Sequence, residues 1–300
     1  MNVLAETSAS TVRRARPCLG MIVEISVAPA AGADAESAIH SAFRDVDKVQ
    51  RLMSYYDPFS ELSRINNKAW RAPVQVSPWT FDVLEAAQAL SEESDGAFDI
   101  TIAPRLVSWG YLPRTPANSY GERLATWRDL VLHRGRLVSF RRPLHIDLGG
   151  IAKGFAVDRA VDALRAGGVT CGLVNAGGDL RAFGSDEWPV RIRHPRDPGA
   201  IGHAFALRDG AVATSATCFS RKRWRKCWVC PLVDGVTRLP CDQELSVSVQ
   251  APTALLADAL TKIVFARREQ AASIHQRHHA SALILDREGQ CQFVAADAAP

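Results

Sequence analysis

The sequence predicts an α+β fold in which mixed sheets are covered by packed helices. Three observations carry that reading. Apolar residues recur at helical spacing over Asp34–Met53, Thr80–Ser94, Ala152–Ala166 and Thr253–Ala266. Short strand-like stretches follow one another from Cys171 onward, with few helices between them. Regular strand–helix alternation, the mark of a doubly wound parallel sheet, is missing. With 300 residues and a hydrophobic fraction of 47% the chain can bury a sizeable core. We read residues 1–16 as a disordered tail ending in Arg13, Arg14 and Arg16, and 17–300 as one domain.

Taken in order, Gly20–Val27 alternates apolar and polar positions and predicts a first strand. In the helix from Asp34 to Met53, Ile39, Phe43, Val46, Val49 and Met53 share one face. Ser60 then caps a short helix. Phe81, Leu84, Ala87 and Leu90 mark the next helix, over Thr80–Ser94. The loop Asp95-Gly96-Ala97-Phe98-Asp99 offers polar groups to a ligand, although Asp99 alone would also serve as a cap for the turn after it. Leu130–Leu132 and Leu137–Phe140 form a hairpin through Arg134-Gly135.

Leu144, Ile146 and Leu148 alternate and predict a half-buried strand that feeds a helix through Gly149-Gly150. That helix carries Lys153 in its first turn and stops at Gly167-Gly168. A helix start with free N–H groups and a lysine suits phosphate, and Asp147 is placed to meet a sugar hydroxyl or a base edge. A glycine-turned junction with a solvated lysine fits the same residues, since neither the P-loop nor the dinucleotide fingerprint spacing is present. Strands are predicted at Cys171–Val174, Leu180–Phe183, Val190–Arg193, His203–Leu207, Ala211–Ser215 and Leu245–Gln250. A helix over Thr253–Ala266 and a hairpin of Ala282–Leu285 with Gln292–Val294 close the chain.

A net charge of +4 is small for this length and gives no indication of nucleic-acid binding. No apolar run reaches the roughly 20 residues of a membrane helix. Residues 1–16 lack an apolar signal region, and seven cysteines fit a reducing interior, so a cytoplasmic protein is expected. Cys227-x-x-Cys230 has no second matching pair, which favours free thiols over zinc.

Several segments together resemble one family. They are Ser54-x-Tyr56 with Ser60-Glu61-Leu62-Ser63-Arg64-Ile65-Asn66, Asp95 to Thr101, Asp147 to Gly154, Val174 to Asp179, Thr214-Ser215, and Ala257-Asp258-Ala259-Leu260. In this order, between about Leu19 and Phe265, they resemble the ApbE family of FAD:protein FMN transferases, which implies a T-fold-like α+β architecture. The resemblance implies an enzyme that cleaves FAD with Mg²⁺ and joins FMN by a phosphoester to a threonine of an acceptor protein. It implies FAD contacts from Tyr56, Ala97, Phe98, Asp99, Asp147 and Lys153, with Lys153 near phosphate. It also implies that the Gly150 carbonyl and the Asp258 carboxylate bind Mg²⁺, and that Lys153 and Asp258 are catalytic.

Two departures stand out. The family carries threonine four residues after the metal aspartate, where this chain has Lys262; Thr261 lies one residue earlier and is the candidate third ligand, while an i,i+4 ion pair of Asp258 with Lys262 is the alternative to metal ligation. The family's His-x-x-Asp-Pro segment falls at Cys230 to Gly235, so Asp234 remains and the histidine does not. An FAD-binding paralogue without transfer, an FAD pyrophosphatase releasing FMN and AMP, and a scaffold with a vestigial pocket therefore stand beside the transferase. The acceptor and the oligomeric state are not legible in the sequence.

Overall fold

The computed structural model describes residues 11–28, 34–114, 125–197 and 199–295. The chain begins with a hairpin, β1 (Val12–Cys18) and β2 (Met21–Ala28), followed by helices α1 (Ala35–Met53) and α2 (Glu61–Lys68). Next come β3 (Val74–Gln75), α3 (Pro78–Glu93), α4 (Ala103–Ser108), β4 (Leu130–His133) and β5 (Leu137–Phe140). The central helix α5 (Ala152–Ala166) leads into β6 (Cys171–Ala176), β7 (Asp179–Phe183), β8 (Trp188–Arg193), β9 (Ile201–Leu207) and β10 (Gly210–Ala216). The last third holds β11 (Lys222–Trp224), β12 (Cys227–Val229), β13 (Ser246–Ala251), α6 (Ala254–Ala266), α7 (Arg268–Arg277), β14 (Ser281–Leu285) and β15 (Cys291–Ala295).

Eight strands form the main sheet in the order β1-β2-β6-β7-β10-β13-β14-β15. The α+β class stands as read, and every ladder described is antiparallel. Helices α1, α5 and α6 lie side by side, with α5 between the other two and α6 resting on β10 and β13. The β8–β9 hairpin brings Trp188, Val190, Ile192 and Leu207 into a second core with Leu173, Leu180, Val212 and Leu285 of the main sheet. Covered in this way on both faces, β6 is buried at all its positions, and Asn175 is its one polar side chain of the amide or charged type.

Helix starts follow local chemistry. Asp34, Ser60 and Thr253 each accept the amide three residues on, from Ser37, Ser63 and Leu256. At the other end of α5, Gly168 takes φ +82, where a side chain would be strained.

Two expectations are corrected. The first is the tail: Val12–Arg16 belongs to β1, paired with β2 from Val12↔Val27 to Cys18↔Met21, and residues 1–10 lie outside the described residues. Leu19 and Gly20 both have positive φ, which makes the tight turn a hairpin needs. The arginines are strand residues on a sheet edge, where charge discourages further pairing. Arg13 meets Glu24 at 2.8 Å, Arg14 pairs with Glu36, and Arg16 reaches Asp47 at 3.4 Å.

The second correction concerns 144–148, which is extended but joins no sheet. Its backbone is satisfied by a side chain instead. Asn66 accepts from the Ile146 amide at 2.9 Å and donates to the Ile146 carbonyl at 3.0 Å. The Asp147 amide donates to the Ile100 carbonyl at 2.8 Å. Leu144, Ile146 and Leu148 are buried as the alternation implied, so periodicity predicted the inward face correctly and the hydrogen-bond partner wrongly.

Candidate active site

The glycine-turned corner between residue 148 and α5 opens onto two cavities of about 460 and 470 Å³. Both are lined by Tyr56, Asp147, Gly149 and Lys153, so the corner is the wall between them. The first cavity adds Phe98, Tyr111, Leu232 and Gly150, and the second adds Leu19, Val49, Met53 and Tyr55. Each lobe lies in the size range of small-molecule sites, mostly apolar with a few convergent polar groups.

Four charged groups meet behind the corner. Lys153 Nζ is hydrogen-bonded to Asp179 and lies 3.3 and 3.2 Å from the two carboxylate oxygens of Asp258. Lys262 Nζ donates to the Asp258 carbonyl at 2.8 Å and to its Oδ1. The Gly154 amide donates to Asp258 Oδ2 at 3.3 Å, so one N–H of the helix start already serves an internal carboxylate. Asp258 is fully buried, and burial alone would raise its pKa; the charges of Lys153 and Lys262 reverse this and hold it below the usual carboxylate value. Burial would likewise lower Lys153, but Asp179 and Asp258 push it above its ordinary range. Burial and the neighbouring Asp258 charge raise Asp179, against Lys153 and Lys262.

Two further contacts fix the helices that carry these groups. A Cβ built on Gly154 would lie 2.1 Å from the Ala254 carbonyl oxygen, so only glycine lets α5 approach α6 this closely. Asp158, buried on α5, accepts from the Ala254 and Leu255 amides at 2.9 Å each and from Arg181 at 2.7 Å. It thereby caps α6 from a neighbouring helix, and neither role was legible in the sequence.

Most of the residues implied by the resemblance converge. Tyr56, Ala97, Phe98, Asp99, Asp147, Gly150 and Lys153 all line the first cavity. Tyr56 is 69% exposed and donates to the Tyr111 carbonyl at 2.9 Å, which holds its ring at the mouth. The Asp99 carboxylate, by contrast, is turned away. It accepts from the Thr101 amide at 2.8 Å, the Trp127 amide at 3.2 Å and Arg238 at 2.8 Å, which is the capping role the sequence also allowed. Asp258 and Thr261 lie behind the wall, both fully buried. The Thr261 hydroxyl contacts Ser215 Oγ at 2.8 Å and donates to the Asp258 carbonyl at 2.7 Å.

Sequence reasoning gave no role to Asp179, Ser215 or Tyr111, which line the cavity, and Lys262, read as an i,i+4 partner of Asp258, makes that pair and lines the cavity too. The turn before Asp179 was a usable signal: Gly177 and Gly178 have φ +61 and +107, and the hairpin sets Asp179 at the start of β7 facing α5. None of the eight histidines lines either cavity among the described residues. His145 is buried, with its pKa lowered to about 4 by burial, and Pro231 stands three residues before Asp234 on the cavity wall. The Cys230 thiol donates to the carbonyls of Leu232 and Cys241 at 3.2 and 3.1 Å, all seven cysteines are free, and no cluster of three or more metal-type side chains occurs among the described residues.

Asp147 is half-buried, and desolvation raises its pKa to about 6 despite the amides of Gly149 and Leu148. A raised carboxyl pKa means the folded protein binds more protons than the unfolded chain between pH ~4 and ~6. Stability of the ligand-free protein therefore falls as pH rises through that window and is level above it. Asp147→Asn is expected to melt higher than wild type at neutral pH, by about 1–3 kcal/mol, with the difference gone near pH 4. Thermal melts of both proteins across the window check this; equal melts at neutral pH would contradict it.

Among the described residues no helix is long and apolar enough to cross a membrane. Similarity to known proteins agrees with the fold. Residues 19–284 match the ApbE family. A Klebsiella pneumoniae protein named FAD:protein FMN transferase is 29% identical over 83% of this chain and 82% of its own length. The Escherichia coli K12 protein of the same name is 26% identical over 81% and 75%. Among solved structures, the ApbE protein of Thermotoga maritima superimposes with TM-score 0.84 at 25% identity, over 94% of this chain and 96% of its own. The flavin transferase ApbE of Vibrio cholerae gives TM-score 0.80 at 25% identity, over 95% and 97%. With residues 19–284 matched to its model and the fold shared with its solved members, the chain belongs to the ApbE family.

Proposed function

We propose that this enzyme transfers FMN from FAD to a threonine hydroxyl of an acceptor protein, at the junction of the two cavities. The observation that supports it most is the shape of the site. A dinucleotide has two bulky halves joined by a diphosphate, and here two lobes meet at Lys153, with a second ammonium, Lys262, in the first lobe. In transfer, the acceptor oxygen forms a bond to the FMN phosphorus while the bond to the AMP oxygen breaks. The threonine proton is released and AMP leaves with the bridging oxygen. Such a reaction is driven by alignment and by fixed positive charge around the phosphoryl oxygens. Lys153 supplies that charge from a position that Asp179 and Asp258 keep rigid and protonated. Phe98, Leu106 and Leu232 give the first lobe an apolar wall.

The resemblance also implies magnesium on Gly150, Asp258 and Thr261, and the donors present do not fit it. The carboxylate and carbonyl of Asp258 already accept from ammonium groups, and Thr261 donates to that same carbonyl. The partners are FAD and a flavin-accepting protein, and the free thiols favour a reducing, cytoplasmic setting.

One observation favours a second reading. With no imidazole on the cavity wall among the described residues, the protein would hold FAD without transfer, or let water take the place of threonine. Incubation with FAD and a candidate acceptor, followed by separation of AMP, FMN and flavin-bearing protein, decides between them. Transfer predicts AMP in step with protein-bound flavin. Free FMN with AMP would make it a pyrophosphatase, and unchanged FAD a binding protein.

A further inference from the structure

We propose that the Lys262 ammonium occupies the cation position of this site, so that FAD binds and reacts without a divalent ion. The proposal rests on the FMN-transfer reading for its substrate and on the Lys262 contacts for its substance.

Lys262 follows Asp258 by one helical turn, so its side chain returns along α6 to the same carboxylate. Its Nζ engages both the carbonyl and Oδ1 of Asp258. Oδ2 faces Lys153 Nζ at 3.2 Å and the Gly154 amide at 3.3 Å. Both carboxylate oxygens and the carbonyl of Asp258 therefore accept from N–H donors. The side chain also runs beside the residue of the second expected ligand: a methyl group built on Gly150 would lie 3.5 Å from Lys262 Cε. The third, Thr261, is held to Ser215 and the Asp258 carbonyl, and its neighbour Lys262 takes the position one turn from Asp258.

Magnesium demands near-octahedral oxygen donors at about 2.0–2.1 Å and tolerates distortion poorly. It would have to expel one ammonium from a fully buried carboxylate and then sit beside the other. Lys153 and Lys262 offset Asp179 and Asp258, so this cluster has no uncompensated carboxylate to offer a dication, and a diphosphate entering the first lobe meets both ammonium groups. Lys262 lines the cavity in which the phosphates are proposed to lie, which makes it a binding group as well as an internal counter-ion.

Two measurements on the intact protein test this. FAD affinity, from quenching of flavin fluorescence, is expected to agree within about twofold between excess EDTA and excess Mg²⁺. Mn²⁺, followed by its paramagnetic resonance signal, is expected to stay free with the wild-type protein. Lys262→Thr, which restores a hydroxyl one turn after Asp258, is expected to bind Mn²⁺ and to need a divalent ion for FAD affinity. Loss of FAD binding in EDTA by more than about tenfold, or one tightly bound Mn²⁺ per wild-type chain, would overturn the proposal. Should Lys262→Thr fail to fold, as judged by circular dichroism, the wild-type comparison decides alone. Wild-type protein that binds no FAD in either medium would defeat the FMN-transfer reading, while Mn²⁺ binding would still judge the role of Lys262.

Discussion

Asp258→Ala is expected to lower stability by about 3–5 kcal/mol, the usual effect of removing one partner from a buried ion pair. Without that carboxylate, Lys153 and Lys262 face each other across a buried space with only Asp179 left to balance them. The Gly154 amide and the ammonium groups lose their acceptors together, so the penalty exceeds that of a surface pair. A drop in melting temperature of roughly 10 °C follows for a domain of this size. FAD binding is expected to weaken as well, because Lys153 is no longer fixed at the corner. Adding Lys262→Leu to the alanine variant removes one of the unpaired charges and is expected to recover part of the loss, a coupling a double-mutant cycle measures. If Asp258→Ala melts with the wild type, the buried charge cluster does not exist as described.

Asp158→Ala is expected to match that loss without touching the cavity. The residue is 4% exposed, its carboxylate bonded to Arg181 and to the first two amides of α6. Truncation strands a largely buried guanidinium and uncaps α6, for a combined effect of about 3–5 kcal/mol. Because Gly154 and Asp158 both press α5 against α6, loosening this contact lets Asp258 drift from Lys153. FAD affinity is therefore expected to fall in a variant whose cavity-lining side chains are all intact. Asp158→Asn retains an acceptor for the two amides but loses the charge toward Arg181, and is expected to fall between alanine and wild type. Unfolding in urea and FAD titration of the three proteins check the order. A stable alanine variant with wild-type affinity would show that the helices are positioned by apolar packing alone.

What the sequence revealed and what it hid divide along sequence separation. The cap at Ser60 acts on an amide three residues away, and local chemistry predicted it; Asp34 and Thr253, read only as helix starts, cap in the same way. Leu144, Ile146 and Leu148 were correctly read as inward, but their carrier pairs with the Asn66 side chain, a partner 80 residues away from Ile146 that no period-two pattern encodes. Arg13, Arg14 and Arg16 looked like a solvated tail because their acidic partners on β2 and α1 are invisible to a composition reading. At the site, Tyr56, Phe98, Asp147, Gly150 and Lys153 were found through family-like segments, and they do share one cavity. The contact of Lys153 with Asp258 spans 105 residues and follows from the α5–α6 crossing that Gly154 permits. Lys262 was legible as a departure from a pattern and as an i,i+4 partner of Asp258, because that pair is local; its place on the cavity wall was not.

A crystal structure of the protein soaked with FAD tests the central claim most directly. The account predicts one nucleoside half in each cavity and the diphosphate at the shared wall, within hydrogen-bond reach of Lys153 Nζ and Lys262 Nζ. Density for FAD elsewhere, or a corner that stays closed by its own side chains while FAD binds in solution, would contradict it.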